Sequence, residues 1–181
     1  MQSSGAFLGT WLSGVDFGGA RLEANPYLGA RVQLADAWRL ETLIAGYLYD
    51  APVFGEDADY AEWVLDFGYR DLGSARFSVA PDAYGRGHLV LDCRLGVRHP
   101  LSDTSEISAG IGYEAAQGML GYDTIYWNLG LTWFAWRQVT LDLRYYDTRE
   151  VNPGVHDEAG EEGLSGTLID NTLVFSIAFG F

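Results

Sequence analysis

Apolar side chains recur at every second position along most of this chain, while the 3.6-residue spacing of a helix is nowhere sustained for a useful length. Leu22, Ala24, Pro26, Leu28, Ala30, Val32 and Leu34 alternate with Glu23, Asn25, Tyr27, Gly29, Arg31 and Gln33. Leu89, Leu91, Cys93, Leu95 and Val97 stand against His88, Asp92, Arg94, Gly96 and Arg98, with Val90 the exception. The split repeats at Ile107, Ala109, Ile111, Tyr113 and Ala115 against Glu106, Ser108, Gly110, Gly112 and Glu114. Successive strand side chains point to opposite faces, so each such segment predicts a strand between two unlike environments. Strands are predicted near residues 6–17, 21–34, 37–50, 58–71, 75–82, 87–98, 105–116, 121–135, 138–149 and 167–181. Most exceed the roughly 9 to 11 residues of a tilted membrane strand. No linker interrupts them, so residues 1–181 read as one all-β domain, an antiparallel up-and-down meander.

The connections alternate in length. "LADAW", "DLGSA", "HPLSD" and "AWRQ" are tight, whereas "FGGA", "DAPVFGEDAD", "PDAYGRG", "AQGMLGYD" and "REVNPGVHDEAGEEGLSG" gather the longer links and most loop acids at the other end. Outer-membrane barrels have this asymmetry, with short periplasmic turns and longer extracellular loops. Alternation alone also fits a soluble, lipocalin-like barrel that keeps its apolar face inside and binds an apolar ligand. Aromatic positions favour the membrane reading. Trp38, Tyr69, Trp133, Trp136 and Phe181 fall toward the short-turn end, and Phe17, Tyr49, Tyr60, Tyr84, Tyr122 and Tyr145 toward the long-loop end. Two girdles at lipid–water boundaries would place them so. The expected fold is therefore an up-and-down transmembrane β-barrel of about ten strands.

Composition narrows the picture. The 181 residues are 48% hydrophobic and 14% aromatic, which argues against disorder. No stretch approaches the roughly 20 apolar residues of a membrane-spanning helix. The opening "MQSSGAFLGT" has neither the basic nor the apolar region of a signal peptide, which does not settle the compartment. Eleven basic residues, all of them Arg, face 25 acidic ones for a formal charge of -14, so nucleic acid is excluded as a partner. The single Cys93 excludes an internal disulfide and lies on the apolar face.

The polar face carries Glu23, Glu41, Glu62, Asp66, Asp92, Glu114 and Asp142 with Arg31, Arg39, Arg70, Arg76, Arg94 and Arg144. In a confined lumen these near-balanced charges are expected to pair across strands, giving a narrow, partly filled interior. The surplus acids, Asp50, Glu56, Asp57 and Asp59 in one loop and Glu150, Asp157, Glu158, Glu161 and Glu162 in another, belong to the loop end.

Catalytic chemistry finds little support. His99, Ser102 and Asp103 share one predicted tight turn, where a nucleophile, base and orienting group are hard to assemble. His88 and His156 lack partners at metal spacing, and "HDEAGEEG" does not follow the order of an EF-hand loop. "GIGYEAAQG" lies inside a strand pattern with no helix after it, unlike a dinucleotide fingerprint. No enzymatic activity, cofactor or metal is expected. An enzyme acting on lipid or lipopolysaccharide is the alternative.

The last strand, "TLVFSIAFGF", places Leu173, Phe175, Ile177, Phe179 and Phe181 on one face. It resembles the C-terminal signature by which outer-membrane barrels are recognised for assembly. That implies the barrel assembly machinery as a partner during biogenesis, and outer-membrane lipid and lipopolysaccharide as the surroundings. "GTWLSGVDF", "DYAEWVLDFGY", "LDLRYYDTRE" and the final "NTLVFSIAFGF" together resemble the Gcw_chp family, conserved proteobacterial proteins of outer-membrane-barrel type with no established function. The family's usual N-terminal Tyr-x-x-Arg-Gly stretch has no counterpart here, so the resemblance implies ten of about twelve strands. The expectation is an integral outer-membrane protein, structural or a narrow channel for small solutes.

Overall fold

Ten strands are present in the computed structural model, which describes residues 4–136, 138–154 and 171–180. They are β1 (Gly5–Phe17), β2 (Ala20–Ala35), β3 (Trp38–Tyr49), β4 (Tyr60–Tyr69), β5 (Gly73–Ala80), β6 (Val90–Ser102), β7 (Ser105–Ala115), β8 (Asp123–Trp136), β9 (Val139–Val151) and β10 (Thr172–Phe179). All join one antiparallel sheet whose spatial order is the order of the chain. A single helical turn, α1 (Gln117–Leu120), precedes β8 and ends on Gly121, whose φ of 81° suits a residue without Cβ.

Boundaries follow the alternation closely except at β6. Alternation predicts an end at residue 98, and the strand instead continues through Pro100 to Ser102. Pro100 lacks an N–H, and the register shifts between Pro100 and Ser102, a bulge that tolerates the missing donor. The β6–β7 turn is thereby reduced to Asp103 and Thr104. The start of the last predicted strand, residues 167–170, and Phe181 lie outside the described residues.

The sheet is strongly curled. Phe17 at the end of β1 approaches Tyr84, in the β5–β6 connection, to a ring-centroid distance of 5.7 Å, although β2, β3 and β4 lie between. Side chains from β3 through β8 line one cavity of 410 Å³ on the polar side, which is therefore concave. Closure into a barrel goes further than the observed pairing: β1 and β10 each have one neighbour, so the sheet is open along those two edges.

No second layer covers the sheet among the described residues. Most of its buried apolar residues form two small clusters at the long-loop end, Ala20, Val53 and Ala58 in one, Ala80, Ala83, Val90 and Ala116 in the other, with Ala45 and Val64 buried apart from them. Large apolar side chains are instead exposed on the convex face.

Candidate functional site

The concave face is built by a sequence rule that operates across strands. Glycines there stand directly opposite long side chains: Gly68 faces Arg39, Gly110 faces Asn128, Gly112 faces Tyr126 and Gly130 faces Arg144. A Cβ at Gly68 would lie 2.6 Å from Arg39 Nε, and one at Gly130 would lie 2.5 Å from Arg144 Cζ. The missing methyl lets each long side chain lie flat on the wall. Tyr126 thus crosses β7 to give its hydroxyl hydrogen to Asp92 and accept one from Arg94 Nε at 3.1 Å.

The expected pairing of charges across strands is formed in two places, and a third pair, Arg144 with Asp142, lies within β9. Arg31 Nε donates to Glu41 at 2.6 Å, and Arg76 makes two bonds to Asp66 at 2.9 and 2.7 Å. Arg144 reaches Asp142, Asn128 and Ser108 at 3.2 to 2.7 Å. The remaining network carboxylates meet hydroxyls: Glu62 accepts from Tyr47 at 2.9 Å and Glu114 from Thr124 at 3.1 Å, while Glu23 sits opposite Tyr49 in the ladder. Arg70 lines the short-turn end of the polar face from just beyond β4. It lies in the β4–β5 turn at φ 48°, with its guanidinium carbon 5.5 Å from the Tyr69 ring centroid.

Glu41, Asp66 and Asp142 lie toward the short turns beside the arginines they pair with, whereas the carboxylates that meet hydroxyls are set apart from them. Glu23, Glu62, Asp92 and Glu114 occupy the ends of β2, β4, β6 and β7 nearest the long loops. Arg31, Arg39, Arg76, Arg94 and Arg144 lie nearer the short turns or at mid-strand. Arg98, one step further along β6, belongs with them; only the pattern of the polar face, not the expected pairs, signals it.

Above the acids sits an aromatic cap. Phe17 touches Tyr49, Phe54 and Tyr84 at 5.9, 5.8 and 5.7 Å, and Tyr60 stacks between Tyr47 and Tyr84 at 4.5 and 4.8 Å. The outward girdle expected of Phe17, Tyr49, Tyr60 and Tyr84 does not form; they turn inward instead, because the 51–58 loop folds over the end of the sheet and buries Val53 and Ala58 beside them. Burial holds the Tyr84 phenol above its usual range. Loop acids tie this cap down. Asp50 accepts the N–H groups of Leu22 and Arg21 at 3.0 and 2.8 Å, which hold its carboxyl below the ordinary value, and Glu56 pairs with Arg86. Among the described residues, no three His, Cys, Asp or Glu side chains form a metal-binding group; Asp157, Glu158, Glu161, Glu162 and His156 lie outside them.

The convex face is apolar over all ten strands. Leu8, Leu28, Ile44, Trp63, Phe77, Leu95, Ile111, Leu129, Leu143 and Phe175 are exposed, one from each. Of the C-terminal signature, Leu173, Phe175, Ile177 and Phe179 share this face. Trp38, Trp133 and Trp136 ring its short-turn end, with Tyr69 against Trp38 at 4.7 Å. Toward the loops stand Trp63, Tyr113, Trp127 and Tyr145. Their polar atoms are satisfied within the protein, Trp63 Nε1 by Thr42 at 2.7 Å, Trp127 Nε1 by Asp147 at 3.1 Å, and Tyr113 by Asp123 at 2.6 Å. Cys93, a free thiol, lines an apolar hollow of 420 Å³ on this face with Trp63, Phe77 and Tyr113.

His99 and Ser102 do not share a turn as expected, since both belong to β6. The Ser102 hydroxyl is engaged by Ser105 at 2.7 Å and by the Thr104 N–H at 3.2 Å, and no hydrogen bond joins it to His99 among the described residues.

Comparison with known proteins identifies the family. The description "bacterial protein of unknown function (Gcw_chp)" matches residues 1–181, and the chain belongs to that family. No curated protein and no solved structure matches it.

Proposed function

We propose that this Gcw_chp protein is an integral outer-membrane β-barrel without enzymatic activity, serving as a structural element or a narrow channel for small solutes. The observation that carries this reading is the apolar convex face: every strand contributes large exposed apolar side chains to one side of the sheet, and an extended exposed apolar surface marks contact with a membrane or a partner. Satisfied indole and phenol groups on that face fit a surrounding without water, where an unpaired donor is costly. A lipocalin-like protein would reverse the faces, lining its cavity with the apolar set. Here the apolar set is exposed, and the concave cavities are walled largely by charged and hydroxyl groups.

In this reading the short turns face the periplasm, the acidic loops face outward, and β1 and β10 meet, directly or through further strands, to close the barrel. Strands of 12 to 14 residues, such as β3 and β8, cover about 30 Å when tilted by about 45°, the thickness of a hydrocarbon core. The aromatic cap and the flat-lying side chains leave a narrow interior, which supports a small-solute path or none over a wide pore. The test is fractionation with heat-modifiable migration on detergent gels. Recovery in outer membranes, with a folded band that shifts on boiling, is expected; release into the soluble fraction without detergent would overturn the proposal. Planar-bilayer conductance then separates channel from structural element.

A further inference from the structure

Beneath the charge network, at the short-turn end of the concave face, lies a second cavity of 280 Å³. Five arginines line it, Arg39, Arg70, Arg94, Arg98 and Arg144, against one carboxylate, that of Asp71. Gly96 and Gly110 on its wall leave room for the Ser74 hydroxyl and the Asn128 amide, each 2.8 Å from where a Cβ would stand.

The arginines differ in what they already hold. Arg144 is fully engaged by Asp142, Asn128 and Ser108. Arg39 is 3.7 Å from Asp71, whose side chain is 91% exposed, and Arg98 is 3.9 Å from Glu106. Both distances exceed a hydrogen bond. Arg94 donates to a phenol, not to a carboxylate, because its neighbour Asp92 is taken by the same Tyr126 hydroxyl. Three guanidinium groups therefore converge on one polar cavity with donors to spare, each a planar fork matched to oxyanion geometry. The Arg39 and Arg98 side chains are 39% and 55% exposed, so their spare donors face water that an anion can displace.

We infer that this cavity binds a small, multiply charged oxyanion, of the phosphate or compact dicarboxylate class, with Arg39, Arg94 and Arg98 as its ligands. Its volume accommodates a group of several heavy atoms and excludes a polymer. The acids at the loop end, Glu23, Glu62, Asp92 and Glu114, set the direction: they repel an anion arriving from the loops and leave the short-turn side as the entrance. The binding chemistry stands on the cavity alone, whereas an entrance from the periplasm rests on the membrane orientation proposed above.

The test is equilibrium binding of inorganic phosphate, and separately of succinate, to the full chain folded in detergent micelles, with chloride as background. Saturable binding of either anion is expected, and which one binds more tightly identifies the source of the oxyanion. Arg94→Gln and Arg98→Gln should each weaken it by about tenfold or more, while Arg149→Gln, 79% exposed on the opposite face, should leave it unchanged. Heat-modifiable migration checks that each variant folds. Absence of saturable binding in the folded wild-type protein, or binding indifferent to Arg94→Gln and Arg98→Gln, overturns the inference and leaves the membrane reading standing. A soluble protein that still binds phosphate would do the reverse.

Discussion

Gly130 and Arg144 face each other across β8 and β9, and the glycine's missing methyl is what lets the guanidinium reach Asp142, Asn128 and Ser108. Gly130→Val should displace Arg144 and lower stability by about 1 to 3 kcal/mol, the usual effect of overpacking, read as a shift of the urea midpoint in detergent. Gly14→Ala is the contrast, because a Cβ there meets nothing within 4 Å and should change the midpoint little. A different sensitivity belongs to Asp50. Its carboxyl is held below the ordinary range by the N–H groups of Leu22 and Arg21. A depressed folded value means the stabilisation is complete above the unfolded value, about 4, and is lost as pH falls through the folded one. Asp50→Asn should therefore flatten the decline of the urea midpoint below about pH 4. The alternation of Gly with Arg, Tyr and Asn is legible in the sequence as a polar face. Which glycine meets which side chain is not, because that depends on register, and a one-residue slip would exchange every partner.

At the scale of elements, all ten strands declare themselves by period two, since each separates an apolar from a polar surround. β6 reads too short from sequence because Pro100 signals a turn locally, whereas the bulge beside it keeps the ladder intact. The cap at the loop end escapes the sequence for a related reason. Phe17, Tyr49, Tyr60 and Tyr84 stand near strand ends, as girdle residues do, but whether they turn inward depends on the 51–58 loop, whose path has no periodic signature. Phe17 is the residue on which that cap converges. Phe17→Ala removes three ring contacts at once and should cost about 3 kcal/mol, measured again by urea. If the interior conducts, the same variant should raise the unit conductance, because the cap narrows the loop end.

At the scale of the whole molecule, the question is what lies against the convex face, and a depth profile of charge answers it. Leu129 stands at the middle of β8 and is 47% exposed, so in water its replacement by Arg would touch almost nothing. Leu34, at the short-turn end of β2, is 55% exposed and equally unencumbered. Exposure alone thus predicts two substitutions of similar, small effect. A bilayer separates them: an arginine at the midplane of a barrel's lipid face costs about 2 to 4 kcal/mol, and one near the interface about 0 to 1. Leu129→Arg should accordingly reduce folding stability in lipid vesicles far more than Leu34→Arg, with intermediate positions such as Leu131 grading between them. Equal and negligible effects of Leu129→Arg and Leu34→Arg would mean that water or another protein covers this face. The contrast also bears on the two edges. A sheet inserted in hydrocarbon cannot leave the outer N–H and C=O groups of β1 and β10 without partners, so a steep depth profile would itself require that these edges be joined in the membrane.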